Sequence, residues 1–190
     1  MKKLFICLLV LLVSALGCAS SPPARFYLLN VPARGQKTQP EHSSTDRVSL
    51  QVQVPEYLDR PQIVVRKGEN RLSLSELDRW AEPLSRMITR VLSQELAAGP
   101  SPVRVNAPGS SAEESQIWVQ ILRLDGTPGG SVHLAADWRI APSRRDNAQV
   151  HSFSTEVPAS AHCMDSLVQA HEQAIQELAA ELRKALSRRW

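Results

Sequence analysis

The stretch "QIWVQILRLDGTPGGSVHLAADWRI", Gln116 to Ile140, sets the architecture. Ile117, Val119 and Ile121 recur at every second position in its first half. Val132, Leu134, Ala136, Trp138 and Ile140 do the same in its second half. A period of two marks a strand with one buried face. Gly126-Thr127-Pro128-Gly129-Gly130 turns the chain between them, so Gln116–Leu124 and Ser131–Ile140 are expected to pair antiparallel. A sheet with an apolar face needs a second layer to cover it.

Two segments have the period to supply that layer. Pro83 suits a helix start, where a missing N–H costs nothing, and Leu84, Met87, Ile88, Val91, Leu92 and Leu96 follow at helical spacing. Gly99-Pro100 stops this helix. The second helix is expected from Met164 to Ser187, with Leu167, His171, Ile175, Leu178, Leu182 and Leu186 in one stripe and Val168 and Ala179 beside it. His171 on that stripe reads as a satisfied core histidine rather than a ligand.

Shorter strands complete the layer. Arg47–Val54 alternates, with Val48, Leu50, Val52 and Val54 on one face and Ser49, Gln51 and Gln53 on the other. Gln62–Arg66 and Arg71–Leu74 flank Lys67-Gly68-Glu69-Asn70 and suit a hairpin. Arg25–Val31 is expected to be a brief first strand, Val103–Val105 another, and Ala148–Val157 a weaker one. The segment around Trp80 reads as a polar lead into the first helix, and Pro32–Asp46 as a mobile polar loop. The fold class is therefore α/β of the α+β type. One compact domain over residues 25–190 combines a mostly antiparallel sheet with two principal amphipathic helices.

The beginning of the chain has a different character. Met1-Lys2-Lys3 precedes an almost unbroken apolar run from Leu4 to Leu16, too short to span a bilayer comfortably and right for a signal peptide. Cys18 follows Gly17 as in a bacterial lipobox, although Ala15 and Leu16 depart from the usual order of residues. Residues 1–17 are thus expected to be removed. Cys18 would carry N-acyl and S-diacylglycerol lipid, and residues 18–24 would form a lipidated tether. The alternatives are a secreted protein cleaved nearby and an uncleaved anchor. On the lipidated reading Cys163 is the one thiol left, so no intramolecular disulfide forms, and it is expected to be buried or half-buried.

Composition and motifs narrow the functional classes. The net charge of +3 includes Lys2 and Lys3, so the chain beyond Gly17 is close to neutral. It carries no basic stripe with stacking aromatics, which argues against nucleic-acid binding. His42, His133, His151, His162 and His171 lack zinc-ligand spacing, and His133 and Asp137 are too far apart along one strand for direct contact. Glu113-Glu114 reads as a solvated pair, and Trp118 and Trp138 as packing residues. No nucleophile elbow, P-loop or dinucleotide fingerprint occurs. No enzymatic activity, cofactor or metal is expected.

Several quoted segments together resemble a known family. These are Cys18 followed by Phe26-Tyr27-Leu28-Leu29, "VSLQVQVPEYLDRPQIVVR" (Val48–Arg66), "RLSLSELDRWAEPLSRMITRVLSQELA" (Arg71–Ala97) and "DSLVQAHEQAIQELAAEL" (Asp165–Leu182). The chain is similar in them to the ABC-type transport auxiliary lipoproteins, PqiC/YmbA-like. That resemblance implies a fold like the N-terminal domain of TolB. It also implies a periplasm-facing lipoprotein that docks an MCE-domain protein and its membrane or ABC transporter components in intermembrane lipid transport. A homo-oligomeric ring is compatible with such a role. Ala19 after the lipidated cysteine, in place of Asp, points to the outer membrane of a Gram-negative cell. A lipid-binding shuttle and a generic envelope scaffold are the alternative functions. Pro55, Tyr57, Leu58 and Asp59 are the partner-contact candidates, the other reading being a rigid strand exit with Tyr57 and Leu58 packed under the first helix.

Overall fold

Two long antiparallel ladders occupy one side of an eight-stranded sheet in the computed structural model, which describes residues 22–30, 47–98, 103–106, 115–141 and 149–188. Cys18, the segments 1–17 and 32–46, and Glu113-Glu114 lie outside the described residues. The strands are β1 (Arg25–Tyr27), β2 (Arg47–Gln53), β3 (Gln62–Arg66), β4 (Leu72–Trp80), β5 (Arg104–Asn106), β6 (Ser115–Gly126), β7 (Ser131–Ala141) and β8 (His151–Pro158). The helices are α1 (Leu84–Ala97), between β4 and β5, and α2 (Met164–Ser187), at the end. The fold is α+β in one domain, and the sheet is mixed.

Strand β6 organises it. Along one edge it pairs antiparallel with β7, which pairs antiparallel with β8. It also pairs parallel with β2 near its start, Val48 opposite Ser115 through Gln53 opposite Gln120. At its end it meets β3, also parallel, through Val65 and Gly126. A register shift between Ile121 and Arg123 separates these stretches of β6. The sheet therefore forks, with β2 and β5 on one branch and β3, β4 and β1 on the other. The connector Val54–Pro61 joins the two branches.

Both helices cover the same face. Every apolar position of the expected stripes is buried, from Leu84 to Leu96 in α1 and from Leu167 to Leu186 in α2. Fully burying a leucine-sized side chain contributes about 1.5–3 kcal/mol, so these stripes are a principal source of stability. The helices are also fastened by Arg183, whose Nη1 donates to the Glu95 carboxylate at 2.6 Å and to the Glu95 carbonyl at 2.9 Å. His171 is a core histidine, 2 % exposed, hydrogen-bonded through Nδ1 to the Leu167 carbonyl and edge-on to Trp80. Burial pushes its imidazole below the ordinary value, against weaker opposition from hydrogen bonds to Leu167 and Leu124.

Four local expectations are corrected. Strand β1 stops at Tyr27 rather than Val31, because Leu29 turns into the core and the Asn30 N–H donates to Glu172. The segment around Trp80 is not a polar lead but the second half of β4, pairing with β1 and again with β3 after a bulge. Cys163 is exposed, since it precedes the first turn of α2 as its N-cap. Trp138 packs in the core at 5 % exposure, but Trp118 lies half-buried on the face away from the helices. There Arg139 stacks 4.3 Å above its ring, and its Nε1 donates to Gln51 at 3.1 Å.

Candidate partner-contact surface

The connector begins as a tight turn. The Pro55 carbonyl accepts the N–H of Leu58 at 2.9 Å and that of Asp59 at 3.2 Å. This turn sends consecutive side chains in different directions. Leu58 points inward and is 2 % exposed, so it belongs to the core. Tyr57 is half-buried, with its ring packed against core residues. Asp59 stays exposed and accepts from Ser85 Oγ at 3.3 Å and from the Ser85 N–H at 3.5 Å. Of the four sequence candidates, Pro55, Tyr57 and Asp59 present surface to solvent. Leu58 does not.

Tyr57 leads to a cluster that spacing along the chain does not announce. Its hydroxyl is 3.4 Å from Asp125 Oδ2, at the end of β6. The Asp125 side chain is wholly buried. Arg66 of β3 grips it with two donors, Nε on Oδ1 and Nη2 on Oδ2 at 2.8 Å, while Arg123 Nε reaches Oδ1 at 3.1 Å. Burial alone would push this carboxyl up. The hydrogen bonds and charges of Arg66 and Arg123 outweigh burial and hold it below the usual carboxylate range. Arg66 also donates to the Gly68 and Glu69 carbonyls, and Thr127 Oγ1 donates to the Arg66 carbonyl at 2.7 Å. Asp125 thus ties the connector, the β3–β4 hairpin and the β6–β7 turn at the fork.

One open cavity borders this knot and another lies along β2, β6 and β7. The first, about 560 Å³, is lined by Arg66, Lys67, Gly68, Glu69, Arg123 and Thr127. The other, about 350 Å³, lies against the polar Gln51, Gln53, Gln120, Asp137 and Arg139 and the apolar Trp118, Val119, Trp138 and Val150. Strand register arranges the second in rows, Gln51–Trp118–Arg139 and Gln53–Gln120–Asp137–Ser152. Ser152 Oγ donates to Asp137 at 2.7 Å, while His133 neighbours Ser131 and Glu156, so His133 and Asp137 each have other partners. Among the described residues no group of three or more His, Cys, Asp or Glu is placed to hold a metal ion. Among them also, no helix is long and apolar enough to cross a membrane.

The geometry defines a two-layer α+β domain, with structural ion pairs inside and polar open surfaces outside. The model of the ABC-type transport auxiliary lipoprotein component family matches residues 27–183, and the chain belongs to that family. Solved structures agree on the fold. A crystal structure of an uncharacterized protein superposes with a TM-score of 0.74 at 16 % identity, covering 87 % of this chain and 99 % of that one. Protein XCC0632 from Xanthomonas campestris, of the DUF330 family, gives a TM-score of 0.68 at 17 % identity over 84 % of this chain and 93 % of its own. No curated protein sequence matches the chain significantly.

The sequence carries one weak signal for the Asp125 cluster. Arg123-Leu124-Asp125 places charges on either side of a buried leucine just before a turn, and such charges ordinarily belong to the turn.

Proposed function

We propose that the protein is a lipid-anchored auxiliary component of an MCE-type intermembrane lipid transport system. Acylated Cys18 holds it to the outer membrane, and the folded domain faces the periplasm and docks the MCE-domain partner. The observation that carries this reading is the family match, which spans nearly the whole folded domain and begins shortly after Cys18. The two cavities favour docking over shuttling. Both are open; charged and polar residues line the larger, and the smaller mixes Gln51, Gln53, Gln120, Asp137 and Arg139 with Trp118, Val119, Trp138 and Val150, so neither has the predominantly apolar lining that a site for an acyl chain needs. Within the docking surface, Pro55, Tyr57 and Asp59 are the connector candidates that reach solvent.

The test is affinity purification of the full-length protein from native envelopes, beside its Cys18→Ala and Tyr57→Ala variants. The parent protein is expected in the membrane fraction with a large MCE-domain protein bound. Cys18→Ala is expected in the soluble periplasmic fraction. Tyr57→Ala with an unchanged unfolding midpoint and lost capture assigns the connector to the interface, whereas a lowered midpoint with capture retained assigns it to packing. Absence of any MCE-domain protein from the parent complex sinks the docking reading.

A further inference from the structure

The large hydrophobic side chains left in solvent are not scattered. Phe26 is 65 % exposed, Leu28 41 %, Leu72 38 %, Leu74 43 % and Leu77 37 %. All five belong to β1, the residue after it, or β4, and of the remaining exposed ones Leu122 lies in β6 and Val150 just before β8. The ribbon that carries them is held in place. β1 runs parallel to β4, with Phe26 opposite Arg79, and Arg25 Nε donates to the buried Asp78 at 2.7 Å. Ala81 N–H donates to the Tyr27 carbonyl at 2.9 Å, and Leu72 and Leu74 sit opposite Arg66 and Val64 of β3. Concentrated apolar surface on a pinned element usually marks something it touches.

We propose that this β1–β4 ribbon is a membrane-contact surface, lying on the anionic phospholipid headgroups of the leaflet that holds the anchor. The inference deepens the function proposed above and rests on its lipid anchor. Chain length is the first argument. Only six residues separate Cys18 from Arg25, so even a fully extended tether reaches about 25 Å. The ribbon is the first folded element that tether meets. Charge is the second. Arg25, Lys67, Arg71 and Arg79 lie on the ribbon and its hairpin, against Glu69, Glu76 and the buried Asp78, while Arg66 is taken up by Asp125. Aromatic and aliphatic side chains flanked by arginine and lysine suit the boundary between headgroups and acyl chains, with the long cationic side chains reaching out to phosphates. A second copy docking on the same face would bring like charges together. The cavity beside the other branch presents Gln51, Gln53 and Gln120 with Val150 and the half-buried Trp118, fewer exposed apolar side chains than the five of the ribbon, and that branch is left to face the periplasm.

The test uses full-length, lipidated protein in a Cys163→Ser background, reconstituted into phosphatidylethanolamine/phosphatidylglycerol vesicles. An environment-sensitive fluorophore is attached to a single cysteine introduced as Phe26→Cys, Leu28→Cys or Leu74→Cys. Gln53→Cys, on the polar branch, and Ser154→Cys, on β8, serve as controls. The ribbon positions are expected to shift to the blue and to be quenched by lipids labelled near the headgroup several-fold more strongly than the controls. Protein that floats with the vesicles but shows equal quenching at all positions overturns the proposal while leaving the anchor intact. A blue shift without lipid quenching overturns it in favour of a second copy covering the ribbon. Protein that fails to float, with a Cys18 that mass spectrometry shows unacylated, removes the anchor and this inference with it.

Discussion

Because the Asp125 carboxylate is wholly buried, its charge must be answered from within the protein, and Arg66 and Arg123 do so from two strands. Removing one partner of a buried pair is far more costly than the pair's net contribution, since the survivor keeps its desolvation penalty. Asp125→Asn is therefore expected to destabilise the fold by about 3 kcal/mol at neutral pH, with Arg66 left facing an uncharged amide. The effect has a predictable pH dependence. The folded-state carboxyl titrates below its unfolded value of about 3.9, so its stabilisation is complete above that value and is lost as pH falls through the folded one. Urea denaturation of both proteins at pH 7 and pH 3 should show the gap narrowing in acid. An unchanged gap would place the loss in packing instead of the ion pair.

At the scale of elements, α1 shows how the connector serves the fold. Its N-cap is Pro83, which has no side-chain donor or acceptor and makes no capping hydrogen bond. Asp59, from a separate part of the chain, supplies the oxygen that accepts from the Ser85 N–H and brings negative charge to the positive end of the helix. Asp59→Ala should cost about 0.5–1 kcal/mol, read as a shift in the denaturation midpoint with the slope unchanged. The same element shows why sequence reading succeeds in some places and not in others. The stripes of α1 and α2 and the alternation in β6 and β7 are legible because each is a local period imposed by a single buried face. The end of β4 is not, because the bulge between its two pairings with β3 breaks the alternation and leaves Ser75–Asp78 looking like a polar loop. Cys163 has no period to betray its side, and a position just outside a helix is free to face water. The Asp125 knot is assembled from Tyr57, Arg66 and Arg123, and which strands a fork brings together is a property of the sheet, not of any window along the chain.

For the whole molecule, on the proposed lipid-anchored function, the controlling quantity is the distance over which the tether lets the domain move. A docking component has to hold its contact surface at one height above the bilayer, whereas a shuttle gains from a longer leash. Inserting twenty Gly/Ser residues between Pro23 and Ala24 adds a flexible linker of about 25 Å root-mean-square length without touching the Arg25–Asp78 pair. The insertion variant is expected to fold with an unchanged melting temperature and to remain in the membrane fraction. As a docking component it should nevertheless lose complementation of a deletion strain in an envelope-permeability assay, and co-purify less MCE-domain protein than the parent. Full complementation by the long-leash variant would mean that the height of the domain is immaterial, and the shuttle reading would take its place. A variant with both a long leash and substitutions in the β1–β4 ribbon should then behave no worse than the long leash alone, because a domain freed from its fixed height no longer depends on that face for orientation.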